Sequence, residues 1–537
     1  MRPRLQCVLV AAVAVLGIAA PAANAAFGIS DFKADVYKAD GTTVETQAGA
    51  HPFTGVTSFT FNTTTLGTPD GNVKNVRVDL PPGLVSNPLA TPQCPQAAFP
   101  SCPIDTQLGT ETLTTPLGTL PPFPVFNMVP QAGQVSDFAF NAPVFGRSDI
   151  VGGLRGTTDY GLFFTISDIP QNANLVSSRL EFWGVPADPA HDAARGGASD
   201  APPKPFLTLP TACAGPQTTT LTVQSYNDET ATKTATTATG ASGCDTLPFS
   251  PTLSAVADGK TSAANGAGLT VTLQQPEEQA NVHSVSVVLP KELTARGSTV
   301  VGACLEATFQ ADPAGCAAAQ VGTVSSSTPL LAGTLDGPVY LVAHGSGLPT
   351  LEAVLTGPGL LIRLTGSITF AAAGLTSTFA SVPDLPITRF VLTLPTGPHS
   401  ALSSTKGVCG GPLTMATTIT GQNGAQIAKT TPIDVTGCAA SKPTGGLKLR
   451  ILRARVRGSL VALTVKVPRA GRLVATGKGL RRASVKVTRA RTLTMKVRLS
   501  KAGAKRRATL HRAHKHLRVH VRLRLGTLVA SRFVTFR

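Results

Sequence analysis

The chain has 537 residues, with 47 Lys and Arg against 29 Asp and Glu for a formal charge of +18. Only 14% of residues are charged and 42% are hydrophobic, which excludes a charge-rich disordered polymer and leaves room for about three folded domains. One Trp and four Tyr are too few for a sugar-binding module built on exposed aromatic platforms.

Residues 1–25 read as an export signal. MRPR supplies positive charge, and Leu9 to Ala20 is an apolar run shorter than the roughly 20 residues of a membrane helix. Ala23-Asn24-Ala25 then gives the small-x-small cleavage pattern, with Ala26 as the mature start. Cys7 falls inside this segment, and no later segment is apolar enough to cross a membrane as a helix. The expected address is extracellular, with cell-wall association as one form of it.

The body beyond it alternates short Val- and Thr-rich runs with Gly, Pro and Asn-Gly, a β pattern without convincing long amphipathic helices. It is also duplicated. NVKNVRVDLPPGL, residues 72–84, and NVHSVSVVLPKEL, residues 281–293, agree at seven of thirteen positions. Gln107-Leu108-Gly109-Thr110 answers Gln320-Val321-Gly322-Thr323, and Cys213-Ala214-Gly215-Pro216 answers Cys409-Gly410-Gly411-Pro412. These anchors place β-domain copies at 26–246 and 247–440, each a disulfide-stapled β-sandwich-like unit. Extra residues in the first copy fall mainly in 192–206, a polar surface loop.

Four cysteines remain in each copy, and in an exported chain an even set implies disulfides. Cys409 and Cys438 are centred on Asn423-Gly424, the strongest short hairpin signal, and Cys213 and Cys244 on Asp228-Glu229. Pairing across those turns predicts Cys213–Cys244 and Cys409–Cys438, leaving the local loops Cys94–Cys102 and Cys304–Cys316.

One corner carries chemistry-bearing residues. FWGVPADPAHDAARG, residues 182–196, holds the only Trp, with Asp188, His191, Asp192 and Arg195. Acid-imidazole proximity could serve a general base, so a secreted hydrolase acting through Trp183–Arg195 is the alternative function. The second copy keeps His399 but neither aspartate, and no nucleophile elbow, HExxH or phosphate loop occurs. No catalytic residue, metal ligand or cofactor site is therefore assigned.

After residues 441–446, a linker by composition, the character changes. From Ser441 onward there are 28 Lys and Arg and no Asp or Glu, leaving 19 cations and 29 carboxylates before it. Apolar residues recur at period two through seven short runs, which predicts a basic immunoglobulin-like β-sandwich over 447–537. In LRVHVRLRL, Leu517 to Leu525, the apolar set faces a core and Arg518, His520, Arg522 and Arg524 share the other face, spaced roughly 7 Å apart. That face is the candidate site for a polyanion, an anionic cell-surface polymer. Nucleic acid fits less well, because no aromatic residues interleave the arginines along the strand. His511, His514, His516 and His520 form a cluster in sequence, with His514 and His516 expected on one strand face, but their cationic neighbours oppose a divalent metal.

VDLPPGL, the paired cysteines, QLGT, FWGVPADPAHDAARG and the basic ending together resemble large secreted β-rich proteins of high-GC soil actinobacteria. The resemblance implies secretion and β-domains and brings no activity onto these residues. The reading is an all-β, non-catalytic secreted or wall-associated binding protein, with a self-assembling adhesin or surface-layer component as a further alternative.

Overall fold

The computed structural model describes residues 26–143, 145–156, 159–345, 347–372, 374–404, 406–438 and 448–537. The candidate export signal 1–25 and the linker 441–446 lie outside the described residues. The fold is all-β, in two compact units divided at Cys438 and Ala439.

In the first unit the duplication is visible as two sheets with one strand order. The first sheet contains β1 (Ile29–Tyr37), β2 (Thr54–Phe61), β3 (Val73–Asp79), β4 (Gln107–Thr115), β5 (Phe123–Met128) and β6 (Ser136–Ala142). β7 (Gly146–Leu154), β8 (Leu162–Ile166), β9 (Ser177–Trp183), β10 (Thr218–Ser225) and β11 (Thr230–Thr236) continue it, and the two-residue strand Gly118–Thr119 pairs with β4 beside this path. They lie in the order β1-β2-β9-β4-β5-β6-β7-β8-β3-β10-β11.

The second sheet begins with β12 (Thr252–Ser262), β13 (Gly266–Gln274), β14 (Val282–Val288), β15 (Gln320–Ser327), β16 (Thr334–Ala343) and β17 (Thr350–Gly357). It continues with β18 (Leu360–Ala371), β19 (Gly374–Phe379), β20 (Arg389–Leu394), β21 (Leu413–Gly421) and β22 (Gln426–Thr436). Its order, β12-β13-β20-β15-β16-β17-β18-β19-β14-β21-β22, repeats the first step for step. β12 also pairs in parallel with β22, Ala255 opposite Ile433, so this sheet closes into a barrel. In the first sheet Lys233 of β11 instead donates to the carbonyls of Ile29 and Ser30 on β1, at 3.3 and 2.6 Å. Sandwich-like packing is thus reached in each copy by one continuous sheet curled onto itself.

The repeated motifs have local physical reasons. The NV-rich strands, β3 and β14, end just before Pro81 and Pro290, which cannot donate to a ladder. In the Gln-x-Gly-Thr motifs the register shifts between Gln107 and Gly109 and again between Gln320 and Gly322, a β-bulge in each copy. The Gln amide donates to the Gly carbonyl, at 3.0 Å for Gly109 and 3.2 Å for Gly322. A Cβ on Gly109 would stand 1.9 Å from the Glu181 carbonyl oxygen, so only glycine fits against the neighbouring strand.

Four disulfides join Cys94 to Cys102, Cys213 to Cys244, Cys304 to Cys316 and Cys409 to Cys438. Cys213–Cys244 and Cys409–Cys438 are the pairs expected from the turn positions, and the other two are the local loops that pairing left. β21 and β22 pair antiparallel from Leu413↔Ile433 to Thr420↔Gln426, bringing Cys409 and Cys438 together at the open end. Gly424 takes φ +80° in the turn, and Asp228 takes φ 62° in the corresponding turn of the first copy.

The two copies are tied within this unit. Asp384 accepts from Thr211 Oγ1 at 2.6 Å and Asn281 Nδ2 at 2.8 Å, and from the Thr211 and Ala212 backbone at 2.8 and 3.0 Å. Tyr160 Oη donates to the Arg363 carbonyl at 2.7 Å.

The C-terminal unit is a seven-stranded sandwich. β23 (Arg450–Arg457), β24 (Leu460–Val467) and β27 (Arg491–Arg498) form one sheet. β26 (Ala483–Val487), β25 (Gly471–Thr476), β28 (Leu517–Leu525) and β29 (Leu528–Phe536) form the other. Split three and four, this is an immunoglobulin-like arrangement with the fourth strand beside the third, around a core that includes Val461, Leu463, Val465, Val521, Leu523 and Phe536. The sequence pattern missed one element, α1 (Lys501–Arg512), which links β27 to β28. Its N-cap is Ser500, whose hydroxyl accepts from Gly503 N, and only Gly503 of the helix is buried. A helix that packs through Gly503 and the half-buried Leu510, seven residues apart, shows no continuous apolar stripe.

Candidate functional site

Strand β28 alternates as expected: Leu517, Val519, Val521, Leu523 and Leu525 are buried, and Arg518, His520, Arg522 and Arg524 are exposed. Its neighbours extend the outer face. Arg524 stands opposite Val474 and Arg522 opposite Thr476 on β25, while Arg472 faces Lys486 on β26, adding two cations to the same side. On β29, Phe533 lies opposite His520. The two rings stack with centroids 4.6 Å apart, and the Arg518 guanidinium sits 4.5 Å above the same ring. Sequence order gave no aromatic among these arginines. The adjacent strand supplies one, a contribution visible only once the register is known.

The positive charge is not confined to this face. Arg455 and Arg457 on β23 are exposed, as are Lys496 and Arg498 on β27, so the outer side of the other sheet is cationic as well. No Asp or Glu occurs anywhere in residues 441–537 to pair with them.

The histidine cluster is dispersed. His511 lies in α1, His514 is in a turn at φ 55° and His516 precedes β28, so His514 and His516 do not share a strand face. The helix, absent from the strand-only reading, is what displaces them. Among the described residues no group of three or more His, Cys, Asp or Glu could hold a metal ion.

The Trp183–Arg195 corner is built as a stack. His191 is 3% exposed, with its ring between Phe53, 4.3 Å away, and Trp183, 4.7 Å away and 9° from parallel. The Arg195 guanidinium lies 5.5 Å from the Trp183 ring centre, donates to Asp192 Oδ1 at 2.6 Å and also bonds the Pro186 carbonyl. Asp188 is spent on a turn, its carboxylate accepting from Ala190 N at 2.9 Å. Burial pulls the His191 pKa down to about 4, and its Nε2 has no hydrogen-bond partner. A neutral imidazole with neither carboxylate on its ring nitrogens is packing, and the polar loop expected here is pinned at its head by a buried arginine.

Sequence reasoning missed a second cluster. His344 Nδ1 lies 3.1 Å from Glu306 Oε2, and its Nε2 lies 2.8 Å from Thr350 Oγ1. The order carboxylate, imidazole, hydroxyl is that of a nucleophilic triad. Here, however, Thr350 donates its one proton to Glu352 Oε1 at 2.6 Å, so His344 is the donor to Thr350. The relay ties the segment after Cys304 to the barrel wall rather than activating a nucleophile. Only the Thr350-x-Glu352 spacing on β17 was legible in sequence; Glu306 and His344 arrive from elsewhere.

Inside the first barrel Glu111 is buried, accepting from Ser178 Oγ at 2.7 Å. Burial pushes its pKa up to about 8, so it holds a proton at neutral pH.

No family model matches the chain, and no curated protein matches it. Among solved structures, dimeric latent PorU from Porphyromonas gingivalis is 7% identical with a TM-score of 0.15. The alignment covers 95% of this chain and 34% of PorU, so the chain spans about a third of that protein's length. A tetra-tandem repeat from the extending region of a large adhesion protein is 10% identical, covers 95% of this chain and 99% of the repeat, and has a TM-score of 0.13. Red sea bream transglutaminase is 8% identical over 86% of this chain and 57% of its own, at 0.12. Scores this low carry no argument about fold or activity. No helix among the described residues is long and apolar enough to cross a membrane.

Proposed function

We propose that the protein is an extracellular, non-catalytic binding protein that holds an anionic surface polymer, such as a wall teichoic acid, through its C-terminal unit. The observation that carries this reading is the face of Arg518, His520, Arg522 and Arg524 on a domain without a carboxylate side chain. Like charges aligned on one sheet face repel, and a polyanion relieves that repulsion while releasing its own counterions. Arg455, Arg457, Lys496 and Arg498 on the other sheet favour a long chain that wraps over a compact anion. An extracellular address is supported by the four disulfides, which form and persist in oxidising compartments.

The full chain and its Arg518→Gln/Arg522→Gln/Arg524→Gln variant are passed over immobilised teichoic acid at increasing salt. The parent is expected to elute as salt rises, and the variant earlier, with a salt slope reduced by about 1 for each arginine that contacts a phosphate. Retention indifferent to salt, no retention in dilute buffer, or no change in the variant would each overturn the proposal.

A further inference from the structure

The shared strand order makes the two barrels comparable residue by residue. Four phenylalanines cluster in the first, where they leave a smaller cavity of about 130 Å³ bordered by Phe164 and Phe182: Phe138 stands 5.4 Å from Phe182, 5.5 Å from Phe206 and 5.9 Å from Phe164. The ladders identify each counterpart. Thr110 opposite Glu181 matches Thr323 opposite Thr393, which sets Phe182 against Leu394. Asn127 opposite Phe138 matches Leu341 opposite Leu351. Val78 opposite Phe164 matches Val287 opposite Ser377. Ser86 opposite Leu207 matches Ala295 opposite Leu402, which sets Phe206 against Ala401.

All four replacements are smaller, and all four border one cavity of about 220 Å³, lined mainly by the second barrel and closed on one side by first-copy residues such as Val85, Gly152, Leu162 and Phe164. Protein interiors are otherwise packed to crystal density, and an apolar cavity of roughly 150 Å³ already takes benzene. No residue lining this one is charged. One of the four, Ser377, places a buried hydroxyl with no hydrogen-bond partner on the cavity wall. The half-buried Leu330, Leu331, Leu385 and Ile387 lie on loops that also line it, which gives a way in that does not part the ladder.

We propose that the second barrel binds an uncharged, mainly hydrocarbon molecule with a single hydrogen-bond acceptor, of the acyl-ester class, in the space where the first barrel keeps its phenylalanines. The aliphatic wall buries the chain, and the Ser377 hydroxyl donates to the ester carbonyl. Free carboxylates are disfavoured because no cation lines the wall to offset their desolvation.

The disulfide-intact full chain is titrated calorimetrically with methyl octanoate, butylbenzene and octanoate. Methyl octanoate should bind saturably, one per chain, and octanoate at least about tenfold more weakly. Ser377→Ala should weaken methyl octanoate about five- to tenfold and leave butylbenzene, which has no acceptor, unchanged. Ala401→Phe, which restores the first barrel's residue, should abolish both, with thermal melting confirming that it folds; Leu351→Phe serves if it does not. Failure of either neutral ligand to saturate, or binding that survives the phenylalanine variants, would overturn the proposal, and an equal loss for both ligands in Ser377→Ala would remove the hydroxyl from it.

Discussion

His191 lies flat on Trp183, 9° from parallel, in a chain with no other tryptophan. Intrinsic tryptophan fluorescence therefore reports on one imidazole. Its pKa of about 4 lies below the ordinary value of about 6.5, so both states are neutral at high pH and the stability is fully present there. As pH falls below 6.5 the unfolded chain takes up a proton that the folded one refuses, and stability is lost down to about pH 4. A fluorescence titration of the folded protein should show a midpoint near pH 4, absent in His191→Phe; a midpoint near 6.5 would mean that the ring is not buried as described.

Glu111 has the opposite sign. Its folded pKa of about 8 lies above the unfolded value, so its contribution is fully present below about pH 4.5 and declines as pH rises towards 8. Glu111→Gln keeps an acceptor for Ser178 and cannot ionise. Its melting temperature should match the parent at pH 4 and exceed it at pH 8, by the equivalent of a few kcal/mol, since each tenfold change in proton affinity is about 1.4 kcal/mol. Parallel melting curves across that range would refute the burial argument.

Asp384 satisfies donors from Thr211, Ala212 and Asn281, one carboxylate joining the two copies. Asp384→Ala strands those donors and should cost roughly 2–4 kcal/mol, while Asp384→Asn should recover part of it. Denaturant melts would also be expected to broaden or split, because the copies lose a shared anchor. A single unshifted transition in Asp384→Ala would count against that role.

Removing Cys409–Cys438 by paired Ser substitutions opens a link of sequence separation 29. The chain-entropy estimate is roughly 3–4 kcal/mol, against roughly 2–3 kcal/mol for Cys94–Cys102 at separation 8. Chemical denaturation of the two double variants ranks them directly; the reverse order would point to native-state effects outweighing loop length.

Local signals were legible in the sequence and long-range ones were not. Asn423-Gly424 fixed a hairpin, and that hairpin brought Cys409 to Cys438. All seven strands of the C-terminal unit were visible because each alternates at period two. α1 escaped because a helix packed through Gly503 and Leu510 has no continuous apolar face to detect. Barrel closure escaped because Ala255 and Ile433 are far apart in the chain and no local residue announces a parallel seam. The same holds at the sites: the alternation of β28 exposed Arg518 and Arg522, but Phe533 beneath Arg518 required the register of the next strand. His191 beside two aspartates looked chemical in one dimension and proved to be an aromatic spacer in three.

The parallel seam between β12 and β22 sets an order of events. Residues near 255 pair with β13 as soon as it is made, Ala255 opposite Val271, but their other edge finds its partner only when residues near 433 are available, so a chain emerging from a ribosome or a translocon cannot complete this barrel until its last strand has arrived. The Cys409–Cys438 bridge, which staples the β21–β22 hairpin, lies beside Gly259 near the end of β12, at one end of that seam. Until the last strand arrives the apolar lining stays open to any chaperone, or any lipid, that meets it first.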